Sequence, residues 1–232
     1  LDIGHEVTVF DNLHVGDGRN LLSLMGRKGV NVVLGDISNF DEIDRAIQGH
    51  DKVVHLAAIV GEPACDKNEE IAASVNIDGT KNVFHACKNS GIKQLVFLST
   101  ASSYGVQDSS IIADEDTPTN PISFYAKTKL DMEEFLLNQP GNGPSVTIFR
   151  PSTVYGLSGR MRFDLIANTM TKTCFLSQQL ELFALDLWRP IFWVGDAGRA
   201  ICEVLMADES VVNNRIFNCG NNSENYQIRD IG

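Results

Sequence analysis

The chain has 232 residues, of which 43% are hydrophobic, 21% charged and 8% aromatic, the composition of a folded globular protein rather than a disordered, collagenous or disulfide-stapled one. Thirty acidic residues against 19 basic ones give a formal charge of −11, which opposes binding by counterion release from a phosphate backbone, so no nucleic-acid partner is expected. No run approaches the roughly 18–20 apolar residues of a membrane-spanning helix, and a soluble, cytoplasmic protein without a membrane partner is expected.

Gly4 reads as a helix-ending residue that leads directly into the strand-like EVTVF, so a helix is expected before Leu1. Short runs rich in Val, Ile and Phe follow at 6–10, 31–35, 52–58, 94–100 and 145–150, and read as buried strands. Between them lie helix signals: Ser38 as N-cap, Ile43, Ala46 and Ile47 on one face, and Gly49 as the stop. A second helix is expected over 69–90, closed by Gly91, and a third from about Ser123. Strand and helix alternate, which predicts a Rossmann-like, doubly wound α/β fold whose parallel strands are covered on both faces. Residues 1–151 are expected to form the cofactor-binding domain. Residues 152–232, less periodic and holding both tryptophans, are expected to form mostly a smaller substrate lobe, with some segments returning to the main domain. The closing NYQIRDIG reads as the start of another helix, so the sequence is expected to be incomplete at both ends.

Five cysteines (Cys65, Cys87, Cys174, Cys202, Cys219) are odd in number and widely spaced, as free thiols are, and no His/Cys pair has metal-ligand spacing. No metal site is expected.

Ligands of such sheets bind beyond the carboxyl ends of the strands. The first strand ends in Asp11-Asn12, and an acid there accepts hydrogen bonds from ribose hydroxyls and repels a 2′-phosphate, which favours NAD over NADP. The same pair equally starts a turn. The next ends are Gly35-Asp36-Ile37 and Leu56-Ala57-Ala58. Asp36 also suits a helix cap, and paired alanines are common at strand ends. Together the three ends suit one ligand.

The fourth strand ends in STASSYG, and the helix from Ser123 carries Tyr125-Ala126-Lys127-Thr128-Lys129. Tyr125 and Lys129 share a helical face. A phenol of pKa near 10 must be acidified to act as a base near neutrality, which a nearby ammonium does, and a Thr100 hydroxyl can orient the reacting carbinol. A chance Tyr-x3-Lys match in a chain of this kind is on the order of one in five. The motif gains weight from its place after a Ser-Thr strand end.

With EVTVFDN, GDI, VVHLAA, NIDGTKN, FLSTASSYG, YAKTK, RPSTVYG and RPIFWVGD in that order, nearly the whole chain resembles the extended short-chain dehydrogenase/reductases of the NAD-dependent sugar-nucleotide epimerase/dehydratase group. The resemblance implies that Asp11 and Asn12 hold the adenosine ribose, that Asp36 and Ile37 flank the adenine, and that Leu56, Ala57, Ala58, Asn76 and Ser99 lie along the cofactor. It makes Thr100, Tyr125 and Lys129 the catalytic hydroxyl, base and lysine, with Tyr125 and Lys129 also touching the cofactor and Arg150-Pro151 passing the nicotinamide. Arg189 would clamp a nucleotide diphosphate and Thr153 would lie near the sugar nucleotide; Asn168 is expected to face the substrate because polar groups converge on such a pocket. Arg160 and Arg162 suit a diphosphate or simple solvation. Trp188 and Trp193 suit a stacked base, although core packing is the expected reading, and Tyr104 and Tyr155 are expected to be structural.

The family's glycine-rich phosphate loop would lie upstream of Leu1, and without it the chain is expected to fold and bind NAD poorly. Ala101-Ser102 replaces the acidic pair of the 4,6-dehydratases, so the resemblance favours 4-epimerisation of a sugar nucleotide through a 4-keto intermediate. Thr153 and Trp193 depart from the usual Asn and His of 4-epimerases. The alternatives are a reductase or dehydrogenase of a keto-sugar nucleotide or small carbonyl, and a non-catalytic cofactor sensor. The family often forms homodimers through the helix that bears the tyrosine.

Overall fold

The computed structural model describes residues 4–16, 18–107, 111–139, 141 and 143–231; the expected upstream helix and phosphate loop lie outside them. In chain order the elements are β1 (Val7–Asp11), β2 (Val30–Leu34), α1 (Phe40–Ile47), β3 (Lys52–His55), α2 (Glu62–Lys67) and α3 (Glu69–Ala73), then a π-helical stretch, Ser74–Gly79, and α4 (Thr80–Asn89). There follow β4 (Gln94–Leu98), α5 (Phe124–Leu137), β5 (Ser145–Pro151), β6 (Thr153–Tyr155), α6 (Ile166–Ser177), β7 (Trp188–Trp193), α7 (Val194–Met206), α8 (Glu209–Val212), β8 (Arg215–Cys219), β9 (Asn225–Gln227) and α9 (Ile228–Ile231). The alternation read from the sequence is therefore the alternation of the fold.

Strands β3, β4, β5 and β8 form a four-stranded sheet in that order, with every pairing parallel. The buried runs QLVFL of β4 and SVTIFR of β5 occupy its middle, as a strand covered on both faces requires. Strand β8 comes from the C-terminal third and pairs with β5 from Thr147 opposite Arg215 to Pro151 opposite Cys219. The remaining C-terminal strands form a separate sheet in which β6 lies parallel and β9 antiparallel to β7.

The first two strands depart from expectation. β1 and β2 pair in parallel with each other alone, as a two-stranded ribbon, and their residues are exposed or half-buried rather than covered on both faces. A cavity of about 1,430 Å³ separates the free edge of β1 from β3. What holds the ribbon is α1, whose Ile43 and Ile47 join Ile37 in one core cluster with Val83 and Phe84 of α4 and Leu95 and Phe97 of β4.

Helix α1 has Asn39 rather than the expected Ser38 at its N-cap position. The cause is local: the Asp36 carboxylate accepts from the Ser38 N–H at 2.8 Å, and Glu42 reaches back to the Asp36 N–H at 2.9 Å. The helix expected over 69–90 is one continuous rod, but its centre is π-helical. Gly79 lies in that stretch, where an added Cβ would come within 2.7 Å of the Ile37 side chain. Trp188 and Trp193 correct the core-packing reading: they are 48% and 45% exposed.

Candidate active site

Helix α5 is capped by Ser123, whose hydroxyl accepts from the Ala126 N–H at 3.2 Å, and it turns Tyr125, Lys129 and Glu133 into the protein. All three are less than 10% exposed. Lys129 donates from Nζ to the Leu98 carbonyl at 2.8 Å and stands 4.6 Å from the centre of the Phe97 ring, a cation–π arrangement. Burial pulls its pKa down to about 8, while Cys65 and Glu133 act in the opposite direction. It is an ammonium at neutral pH with little in reserve.

Burial likewise pushes Tyr125 up to about 12, with Cys65 adding to the shift and Arg162 and a side-chain hydrogen bond to Thr100 opposing it. Thr100 is buried at the end of β4 and caps a short turn by accepting from the Ser102 N–H at 3.2 Å. The structure therefore brings Thr100 to Tyr125 and holds Lys129 at the adjacent end of β4. The lysine touches the β4 end rather than the phenol, so the acidification expected of the ammonium is not among the influences on Tyr125.

Asn76 belongs to the π-helical stretch, a geometry found often at functional sites. It is 1% exposed. Its Oδ1 accepts from the Ile59 N–H at 2.8 Å, and its Nδ2 donates to the Ile59 carbonyl at 3.1 Å and to Thr128 Oγ1 at 3.3 Å. This amide thus ties the loop after β3 to α5, one residue before Lys129. The Thr80 hydroxyl donates to the Asn76 carbonyl at 2.7 Å, so it accepts from His55 Nε2, 2.9 Å away. Burial first, and then the Lys129 charge, drive His55 down to about 3, so it is neutral.

The other predicted residues fall in two places. Asp11, Ile37, Leu56, Ala57 and Ala58 line the cavity between β1 and β3. Asn12 Nδ2 donates to Asp36 Oδ2 at 2.8 Å, joining the ends of β1 and β2, and Asp11 Oδ1 accepts from the Leu13 N–H at 2.6 Å. The Ser38 N–H, with Asn12 assisting, holds the Asp36 carboxyl below its ordinary value. Ser99 directs its hydroxyl to Glu133. Pro151 ends β5 opposite Cys219, and Thr153 opens β6 opposite Ile191. Asn168 donates to the Arg162 carbonyl at 3.0 Å. Arg189 is exposed on β7 opposite Tyr226, whereas Arg162, paired with Asp164, places its charge near Tyr125.

Sequence reading missed His55, Cys65, Glu133 and the side-chain role of Arg150. For Glu133 the signal was present: it continues the four-residue spacing of Tyr125 and Lys129. Among the described residues no cluster of His, Cys, Asp and Glu suits a metal ion, and no helix is long and apolar enough to cross a membrane. All five cysteines are free.

A parallel α/β sheet with a buried Tyr-x3-Lys helix beside a Thr-bearing strand end defines a Rossmann-like enzyme scaffold. Over residues 1–220 the chain matches the model of the NAD dependent epimerase/dehydratase family, and it belongs to that family. It is 30% identical over 170 residues to a 3-beta-hydroxysteroid dehydrogenase of Mycolicibacterium neoaurum, covering 70% of this chain and 44% of that protein. It is 32% identical over 130 residues to an N-acetyl-alpha-D-glucosaminyl-diphospho-ditrans,octacis-undecaprenol 4-epimerase of Escherichia coli O157:H7, covering 55% of this chain and 38% of that protein. The chain thus spans less than half the length of these relatives. Among solved structures, the UDP-glucose 4-epimerase of Thermus thermophilus, in complex with NAD, superposes with a TM-score of 0.82 at 26% identity, covering 97% of this chain and 72% of that one.

NAD is the cofactor of the family, and the residues present fit its adenosine end. Carboxylates stand at two adjacent strand ends, and small residues, Ala57 and Ala58, border the cavity beside Asp11.

Proposed function

We propose that this chain carries the catalytic machinery of an NAD-dependent enzyme that inverts a nucleotide-activated sugar at C4 through a transient 4-keto sugar. The observation that carries the reading is Tyr125 facing Thr100 with Lys129 of the same helix face held at the adjacent strand end, beside Ala101-Ser102 where the dehydratases carry an acidic pair. Elimination of water calls for a further acid and base. Epimerisation needs the C4 hydride removed, the ketose rotated and the hydride returned to the other face.

Bound NAD supplies the acceptor and then the donor of that hydride. Tyr125 takes the C4 hydroxyl proton at its phenolic oxygen as the carbonyl forms and gives it back on return. Thr100 orients the same oxygen by hydrogen bonding. Lys129 supplies the positive charge of the site from the end of β4, where it donates to the Leu98 carbonyl. We assign the adenosine end to Asp11, Asn12, Asp36 and Ile37, with Leu56–Ala58 along the cofactor, and the nucleotide diphosphate to the arginine-bearing C-terminal segments. The cleft between the parallel strands β1 and β3 is read as the seat of the family's first strand and glycine-rich turn, whose N–H groups receive a pyrophosphate.

The test uses full-length, NAD-loaded protein incubated with UDP-glucose, UDP-GlcNAc, dTDP-glucose and GDP-mannose, with NMR analysis of the sugars. A C4-inverted product is expected, and Tyr125→Phe is expected to lower its rate about 10²- to 10⁴-fold, the worth of a positioned proton-transfer group. Undiminished turnover by the Phe variant would sink the proposal. A second reading, net oxidation of a secondary alcohol, is favoured by the likeness to the Mycolicibacterium dehydrogenase. It predicts NADH formed in step with substrate consumed.

A further inference from the structure

Glu133 and Arg150 are charged, 1% and 4% exposed, and unused by the reaction above. Arg150 Nη2 donates to Glu133 Oε2 at 2.6 Å, and its Nε reaches both carboxylate oxygens at 3.1 Å. Its Nη1 donates to the Tyr104 hydroxyl at 3.0 Å, which donates to Asn218 Oδ1 at 2.7 Å. The Ser99 hydroxyl also donates to the Glu133 carboxylate. One network thus joins β4, β5, β8 and α5. A buried ion pair is weak evidence for stability, because desolvation offsets much of its attraction, so stability alone does not account for it.

The geometry around α5 does. Tyr125, Lys129 and Glu133 recur every four residues on one face and meet three consecutive residues at the end of β4: Tyr125 faces Thr100, Lys129 binds the Leu98 carbonyl, and Glu133 holds the Ser99 hydroxyl. We propose that Glu133 is a positioning residue of the reaction: gripped by Arg150, it holds Ser99 and so keeps the Thr100 hydroxyl and the Leu98 carbonyl in register with Tyr125 and Lys129. The proposal rests on the function assigned above in that Tyr125 and Lys129 are its reacting groups.

Glu133 acts on Lys129 by charge as well. The groups around that ammonium are Cys65 from α2, His55 from β3 and Glu133 on its own helix, with Arg150 of β5 behind Glu133. Glu133 raises the lysine pKa against burial. Removing the carboxylate charge therefore lowers the pH at which the ammonium is lost.

Two full-length variants test this: Glu133→Gln, and the double replacement Glu133→Leu with Arg150→Met, which exchanges the pair for apolar groups that a core tolerates. The readouts are thermal melting, the pH dependence of kcat and KM on whichever sugar nucleotide the wild type converts, and the Lys129 titration followed by ¹³Cε-lysine NMR without substrate. Glu133→Gln is expected to lower kcat about 10- to 100-fold, the scale of a small misplacement of reacting groups, with KM nearly unchanged. Its Lys129 midpoint and the basic limb of kcat are expected to move about one unit to lower pH. The double variant is expected to melt near the wild type and still lose kcat. A folded double variant with wild-type kcat and an unmoved Lys129 midpoint overturns the proposal. If Glu133→Gln fails to fold, the double variant decides. If the wild type converts no sugar nucleotide, the functional reading fails while the NMR titration still judges the link between Glu133 and Lys129.

Discussion

The Tyr125 side of the site grows from β4 and β5, strands buried along nearly their whole length, whereas Asp11 and Asp36 stand at the ends of a two-stranded ribbon whose residues are exposed or half-buried. On the first side every functional group is tied to a neighbouring element: Lys129 to β4, Asn76 to the loop after β3, Glu133 to Ser99 and Arg150. On the second side the ties are turns around Asp11 and Asp36, the Asn12–Asp36 bond, a contact between His50 and Thr8 of β1, and bonds from Asn82 of α4 to the Ile37 and Ser38 carbonyls. The groups proposed for proton transfer are held by the core of the fold. The groups proposed to face the nucleotide are held mainly by α1 and its isoleucines.

The largest expected effect lies in the first region. Arg150→Met alone leaves the Glu133 carboxylate buried without its partner and is expected to destabilise the protein by about 3–5 kcal/mol, the usual cost of breaking a buried pair from one side, read by chemical denaturation. A loss below about 1 kcal/mol, the range of exposed pairs, would mean that this side is less tightly built than the geometry indicates. Next comes Ile43→Ala, which removes the main anchor of the ribbon and is expected to cost about 2–5 kcal/mol as a core truncation. Hydrogen exchange sharpens the comparison: amides of β1 and β2 are expected to lose protection while those of Leu95 to Phe97 keep theirs, as separate cooperative units do. Equal losses in both strand sets would show that the ribbon and the main sheet open as one.

The catalytic side was also the more legible in sequence. The spacing of Tyr125 and Lys129 on one helical face, after a strand ending in Ser-Thr, is a local pattern, and the packing of α5 on the end of β4 sets the tyrosine against Thr100 and the lysine against the Leu98 carbonyl. The buried runs of β4 and β5 announced themselves by unbroken hydrophobicity. Three things stayed hidden because they depend on partners distant in the chain. The exposure of β1 and β2 reflects what stands beside them, not their own valines. The π-helical turn that carries Asn76 lies where Ile37, from much earlier in the chain, packs closely against Gly79. Arg150, in a motif whose proline drew the eye, is directed inward by Glu133, 17 residues away. Trp188 and Trp193 belong with these: their hydrophobicity suits a core, but it is Phe192 between them in the chain that is buried, while the tryptophans are exposed.

Acid separates the two regions in a further way. His55 lies on the catalytic side and is neutral when folded, its pKa driven from 6.5 to about 3. Between those values the unfolded chain binds a proton that the folded chain refuses, so stability is full above pH 6.5 and falls as the pH drops. One proton corresponds to at most about 1.4 kcal/mol per pH unit, which makes the expected loss about 2–3 kcal/mol between pH 6.5 and 4.5. Asp36, in the ribbon, has the same sign, because its folded pKa lies below 3.8. Its contribution is intact above 3.8 and begins to fade only under more acid conditions. Denaturation of the wild type and His55→Gln at pH 6.5 and 4.5 is therefore expected to show a steep difference between the two pH values in the wild type and a flatter one in the variant. A variant as steep as the wild type would assign the acid sensitivity to other groups and remove His55 as the weak point of the catalytic side.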